Sequence, residues 1–226
     1  LLAQAERPFD AVGLKAPWYP VVGNHDLLVQ GNLAPTAETN AIATGDRKLL
    51  TLSPAALQAV RGLRLSQATV AQLLRFGLPG SSEKVAPDPR RRELSAAEVV
   101  SRLRRASGHG GRGPLLDYAF EIGGMRAIVL DTTRRGTGAP GLVHASQVRW
   151  LARELRAAGK RPVVLFTHAP LTSAAGGSAV LELLDRDPHV VAAVHGDTHR
   201  NEIDPRAHYW LVGTSSLADY PQEARA

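Results

Sequence analysis

The chain has 226 residues, enough for one domain or one domain plus an insertion, and its 44% hydrophobic content can bury a core, which excludes disorder of the whole chain. It contains no cysteine, so disulfide frameworks and thiolate-held metals are excluded, and any metal must be held by His, Asp, Glu or Asn. Basic residues outnumber acidic ones by 27 to 21 for a net charge of +6, but few aromatics stand among them to stack on bases, so a nucleic-acid partner is the weaker reading and a mild pull on anionic substrates the stronger.

In chain order, Trp18-Tyr19-Pro20-Val21-Val22 is a short apolar run ending at Gly23 and predicts a buried strand entering a loop. Leu33 to Gly113 carries helical signals separated by breakers. Ser53-Pro54 caps a helix with Leu57, Val60 and Leu63 on one side. Ser66 opens another, with Val70, Leu73 and Leu74, that stops before Gly77. Pro79 to Arg92, including Arg90-Arg91-Arg92, reads as a solvated loop, and Ser95-Ala96-Ala97-Glu98 fits a capping box before a helix from Val99 to Arg105. Ser107 to Gly113 is glycine-rich and predicts a loop.

Beyond this stretch the pattern changes. Tyr118–Ile122 and Met125–Leu130 predict a hairpin turned by Gly123-Gly124. A helix from Ser146 to Ala158 shows Val148, Leu151 and Leu155 on one face. Val163–Phe166, Val190–Val194 and Tyr209–Val212 predict buried strands, with a helix over Ser178–Leu184. Strands alternating with helices argue an α/β domain with its active loops at strand ends, and the 33–113 stretch is most simply a helical insertion over them.

Three apolar runs end in short polar loops carrying His: Gly23-Asn24-His25-Asp26, Thr167-His168-Ala169-Pro170, and Gly196-Asp197-Thr198-His199. Strands of one sheet can end on one side, so these loops can converge. The set Asn24, His25, His168, Asp197 and His199 mixes hard oxygen with imidazole nitrogen, which suits Mn, Fe or Zn. The glycines before two of the loops predict sharp backbone turns that aim the side chains inward. No G-x-S-x-G elbow or phosphate-cradling glycine motif occurs.

These residues resemble the calcineurin-like metallophosphoesterase superfamily: GNHD, a strand ending in a lone His, and a G-x-x-H loop. The stretch from Gly141 to Leu155, with Gln147, Trp150 and Leu151, is similar to the helix preceding the single-His strand in many members, and the first stretch and the tail resemble an actinobacterial branch. The resemblance implies an α/β sandwich of β-sheets flanked by helices. It also implies hydrolysis of a phosphate ester, with two metal ions (Mn, Fe or Zn) about 3.5–4 Å apart holding a bridging hydroxide. On it, Asn24 and His168 ligate the second metal and His199 the first, while His25 faces the phosphate with Asp26 orienting its ring. Asp131 is expected to anchor a loop or to form a strand-end turn, and His195 to belong to its strand rather than to the site.

Two departures stand out. The fourth loop in the family reads G-H-x-H, and here Asp197 stands where a second-metal His would be. The family's earlier Asp-x-His and Gly-Asp motifs do not occur before Gly23, which leaves His199 as the sole first-metal ligand. The expectation is a partial domain whose first-metal site is incomplete and whose N-terminal strands are missing, acting on a small phosphate ester when intact. Two alternatives are a non-catalytic module and a nuclease of the same superfamily.

Overall fold

The computed structural model describes residues 10, 12–61, 80–136, 140–217 and 222–223. Six strands form one sheet: β3 (Tyr118–Ile122), β4 (Met125–Leu130), β5 (Val163–Thr167), β6 (Val190–His195), β7 (Glu202–Arg206) and β8 (Tyr209–Gly213), in the order β3-β4-β5-β6-β8-β7. β4, β5, β6 and β8 run parallel, and the antiparallel strands β3 and β7 close the two edges. The chain is mixed α/β, as its alternating pattern predicts. At the predicted hairpin, Gly123 and Gly124 have φ of 57° and 79°, values that only glycine takes at no steric cost.

The two faces of the sheet bury different material. On one, α5 (Ala145–Ala158) and α6 (Gly177–Arg186) lay Leu151, Leu155, Val180 and Leu184 over Ile128, Leu130, Val163 and Leu165. On the other, Val22, Leu27 and Leu28 pack with Val100, Leu116, Tyr118 and Val129. Val100 belongs to α4 (Ala96–Ser107), whose N-terminus is the predicted capping box: Ser95 Oγ accepts the Glu98 N–H, and Glu98 accepts the Ser95 N–H at 2.9 Å.

Trp18–Val22 is not a strand. Pro20 removes a backbone donor from within the segment and Pro17 another just before it, which disfavours a ladder. It lies instead against the sheet, with Tyr19 stacked on Phe120 and Pro20 O accepting the Tyr118 hydroxyl at 2.9 Å. It leads into α1 (Asn24–Leu27).

The middle stretch is less purely helical than expected. Besides α2 (Ala37–Thr44), α3 (Pro54–Val60) and a 3₁₀ turn at Pro89–Arg91, it contains β1 (Arg47–Leu52) and β2 (Gly80–Lys84), paired antiparallel with an irregularity between Leu49 and Thr51. Ser53 caps α3 as predicted, accepting the Ala56 N–H at 3.1 Å. The helix predicted from Ser66 lies outside the described residues. Among the described residues no helix is long and apolar enough to cross a membrane.

Candidate metal centre

Because β4, β5 and β6 are parallel, their C-terminal ends share one edge of the sheet. β5 delivers His168 there, and β6 delivers Gly196-Asp197. The Gly196 N–H donates to His168 O at 3.0 Å, so the two loops stay joined one step beyond their strands. His195 still belongs to β6, as expected, and its Nδ1 sits 3.0 Å from Gly196 O.

Asn24 begins α1 and is buried. Its Nδ2 donates to Gly31 O at 3.0 Å, which turns its Oδ1 toward His168, and His168 Nε2 lies 2.8 Å from that oxygen. Asp197 Oδ1 lies 3.4 Å from the same nitrogen. The 2.8 Å separation is that of a hydrogen bond between ring and amide, while the 3.4 Å separation is the spacing of two ligands about 2.1 Å from one ion at near-tetrahedral angles. Three of the four expected ligands are therefore brought together.

His199 is different. Among the described residues no group of three or more His, Cys, Asp and Glu side chains stands where it could hold a metal, so His199 does not form one with His168 and Asp197. Asp197 and His199 both have left-handed backbone, with φ of 65° and 56°. That conformation is uncommon outside glycine, and Asp and His are among the residues that enter it most readily.

The glycines act through space rather than through turning. Gly23 has an extended backbone, with φ of −112° and ψ of 176°. A β-carbon there would sit 2.6 Å from the His168 ring. One on Gly31 would sit 2.5 Å from His25 Nε2 and 2.8 Å from Asn24 Nδ2, and Gly31 also has a φ of +72°. The expectation of a sharp turn at Gly23 is thus replaced by a close approach. Gly31, which the donor pattern did not single out, orients both Asn24 and His25.

His25 is exposed, with its ring laid on Gly31. Asp26 accepts the Gly23 N–H through Oδ2 at 2.8 Å, so its structural contact is to the first turn of α1 rather than to the His25 ring.

Beneath the site lies a polar node that sequence reasoning caught only at Asp131. This carboxylate is buried, accepts from Leu116 N at 2.9 Å and Thr133 N at 3.1 Å, and pairs with Arg135. It is a loop anchor. Asp117 accepts from Asp131 N at 2.8 Å and from Gln147 Nε2 at 2.9 Å. Burial pushes the Asp117 carboxyl above its ordinary value, opposed by those two hydrogen bonds. Thr132 and Thr133, which follow Asp131, went unnoticed because a Thr pair after a strand reads as an ordinary turn. Their one signal was position: they leave β4 at the edge where the His-bearing loops leave β5 and β6.

Two other features lie apart from this chemistry. The cluster Arg90-Arg91-Arg92 is engaged locally: Arg90 pairs with Asp88, Arg92 with Glu98, and Arg91 donates to Gly45 O and Ala86 O. An apolar cavity of about 350 Å³, lined by Trp18, Tyr19, Phe120, Met125 and Phe166, offers a phosphate no charged partner.

Fold and donors together define an α/β protein that presents oxygen and imidazole donors at the ends of parallel strands. The sequence model of the calcineurin-like phosphoesterase family matches residues 3–201, and the chain belongs to that family. No curated protein matches it. Among solved structures it is similar to a dimetal phosphatase from Danio rerio, at 17% identity and a TM-score of 0.48, over 55% of this chain and 57% of that one. It is also similar to the sulfate thiohydrolase SoxB of Thermus thermophilus in complex with glycerol, at 16% identity and a TM-score of 0.29, over 44% of this chain and 20% of that one. The chain spans less than two thirds of either structure's length, and at these scores neither likeness carries an argument.

Proposed function

We propose that this chain supplies the second-metal half of a phosphoester-hydrolysing centre. Asn24, His168 and Asp197 are its ligands, His199 is the contribution to the first metal, and His25 is the group that meets the phosphate. The observation that carries this reading is His168 Nε2, 2.8 Å from Asn24 Oδ1 and 3.4 Å from Asp197 Oδ1. The donors fit Mn, Fe or Zn, and metal bound there supplies charge neutralisation at the phosphoryl oxygens and a more acidic water.

The chain's own residues do the remainder. Gly31 O holds the Asn24 amide so that its oxygen points inward. His25, exposed on its glycine platform, binds a phosphoryl oxygen through its ring N–H and gives a proton to the leaving oxygen. Asp197 brings a carboxylate where a neutral imidazole would otherwise sit, which lowers the net charge of the loaded site and favours harder ions. In the same reading the 33–113 insertion caps the substrate, with Val100 of α4 tying it to the core.

Calorimetric titration with Mn²⁺, alongside hydrolysis of an aryl phosphate monoester, an aryl phosphate diester and single-stranded DNA, tests the proposal. His168→Ala should weaken Mn²⁺ binding at least about tenfold. His25→Ala should keep that binding and lose about a hundredfold in turnover of the small esters. Wild-type affinity in the first variant, or full turnover in the second, overturns the assignment. A second reading, a metal-binding module without turnover, is favoured by Asp197 and by the absence, among the described residues, of three His, Asp or Glu side chains grouped to hold a metal. Mn²⁺ binding with no hydrolysis of any ester would select it, and preferred cleavage of the DNA would select a nuclease.

A further inference from the structure

β4 brings no ligand to the centre, yet the two residues after Asp131 reach both loops that do. Thr132 Oγ1 accepts the N–H of Ala169, the residue after His168, at 3.1 Å. Thr133 Oγ1 donates to the carbonyl of Val22, which precedes Gly23 and Asn24, at 2.9 Å. Thr132 and Thr133 are 0% and 5% exposed, so neither contact is shared with bulk water. Val22 lies in no strand and Ala169 lies beyond the end of β5, so neither group bonds in the sheet ladder at this point. The base of the bracket is fixed in turn, because Gln147 Nε2 donates to Asp131 O at 2.8 Å and Asp131 takes the Thr133 N–H.

We propose that Thr132 and Thr133 are positioning residues for the metal centre, a two-handed bracket in which one hydroxyl sets the His168 loop and the other the Asn24 loop. The proposal rests on the metal-centre reading above. The spacing of Asn24 Oδ1 and His168 Nε2 then depends on two hydroxyls that touch neither ligand. Valine keeps the shape of threonine and deletes the hydroxyl, leaving a buried N–H or C=O unpaired. Serine keeps the hydroxyl and removes only a methyl.

The test uses the metal-free protein first. In ¹H–¹⁵N spectra, Thr132→Val should shift the His168 ring signals and Thr133→Val the Asn24 side-chain amide, while Thr132→Ser and Thr133→Ser should restore wild-type positions. Each valine variant should also bind Mn²⁺ about tenfold more weakly, with serine again restoring affinity. Thr39→Val is a control, since Thr39 bonds to Glu93 at 2.6 Å and not to the site; it should move neither signal. Unshifted signals in both valine variants, or serine variants that fail to restore them, overturn the bracket. If a valine variant does not fold, the wild-type Ala169 amide decides: protection from hydrogen exchange supports the bracket, and exchange at the rate of an exposed amide overturns it. A wild-type protein that binds no Mn²⁺ would count against the metal centre, while the spectra would still judge the bracket.

Discussion

The sheet half of the molecule and the stretch from Ala37 to Lys84 use the same amino acids under different rules. In the sheet half, β5 alternates fully and partly buried positions, and Val163 and Leu165 are both 0% exposed. In the other, β2 is exposed at all five positions and pairs only with β1, across an irregular register. Burial on both faces fixes register, whereas two exposed strands leave it weakly specified. The three proposed metal donors, Asn24, His168 and Asp197, come from the ends of elements in, or laid against, the tightly specified part.

That contrast can be broken by experiment. Leu165→Ala, in the buried centre of the sheet, should cost about 2–5 kcal/mol of unfolding free energy in denaturant titration; a loss near zero would show that the sheet is not the load-carrying half. Gly23→Ala should leave the fold standing but push the His168 ring aside, lowering Mn²⁺ affinity about tenfold by calorimetry. Unchanged affinity would mean the close approach has no bearing on the site. Ser95→Ala removes a helix cap far along the chain from the donors and should cost about 1 kcal/mol with the metal affinity unmoved.

The smallest effect concerns acid. Burial raises the Asp117 carboxyl, so the folded protein takes up that proton at a higher pH than the unfolded chain does. The ionised group therefore opposes folding at neutral pH, and its opposition fades as pH falls through the raised value toward 3.8. Asp117→Asn keeps an oxygen to accept from Asp131 N and Gln147. Its stability relative to wild type should be highest near neutrality and decline on acidification, followed by thermal melts across that range. A constant difference would place the carboxyl at its ordinary value.

How far the sequence was legible follows from the same contrast. The runs Met125–Leu130, Val163–Phe166 and Val190–Val194 announce themselves because burial on both sides demands unbroken apolar residues. The loops that follow were legible by the same token. Trp18–Val22 has that composition too, and the backbone donors missing at Pro20 and at the preceding Pro17 argue against a strand. β7 was invisible for the opposite reason: Pro205 argues against a strand, and is tolerated because β7 is an edge that pairs only with β8. β1 and β2 carry no burial signal. In the site, the candidate donors could be named from the sequence, but the need for bare backbone at Gly23 and Gly31 depends on which rings arrive there from elsewhere in the chain.

The left-handed backbone at Asp197 and His199 carries one more implication. Glycine would sit in either conformation without steric cost, so replacing either residue would relieve the loop while deleting a candidate ligand. Laboratory selection for heat tolerance alone would reward such replacements. Thermal robustness and the capacity to hold a cation pull in opposite directions at these two positions.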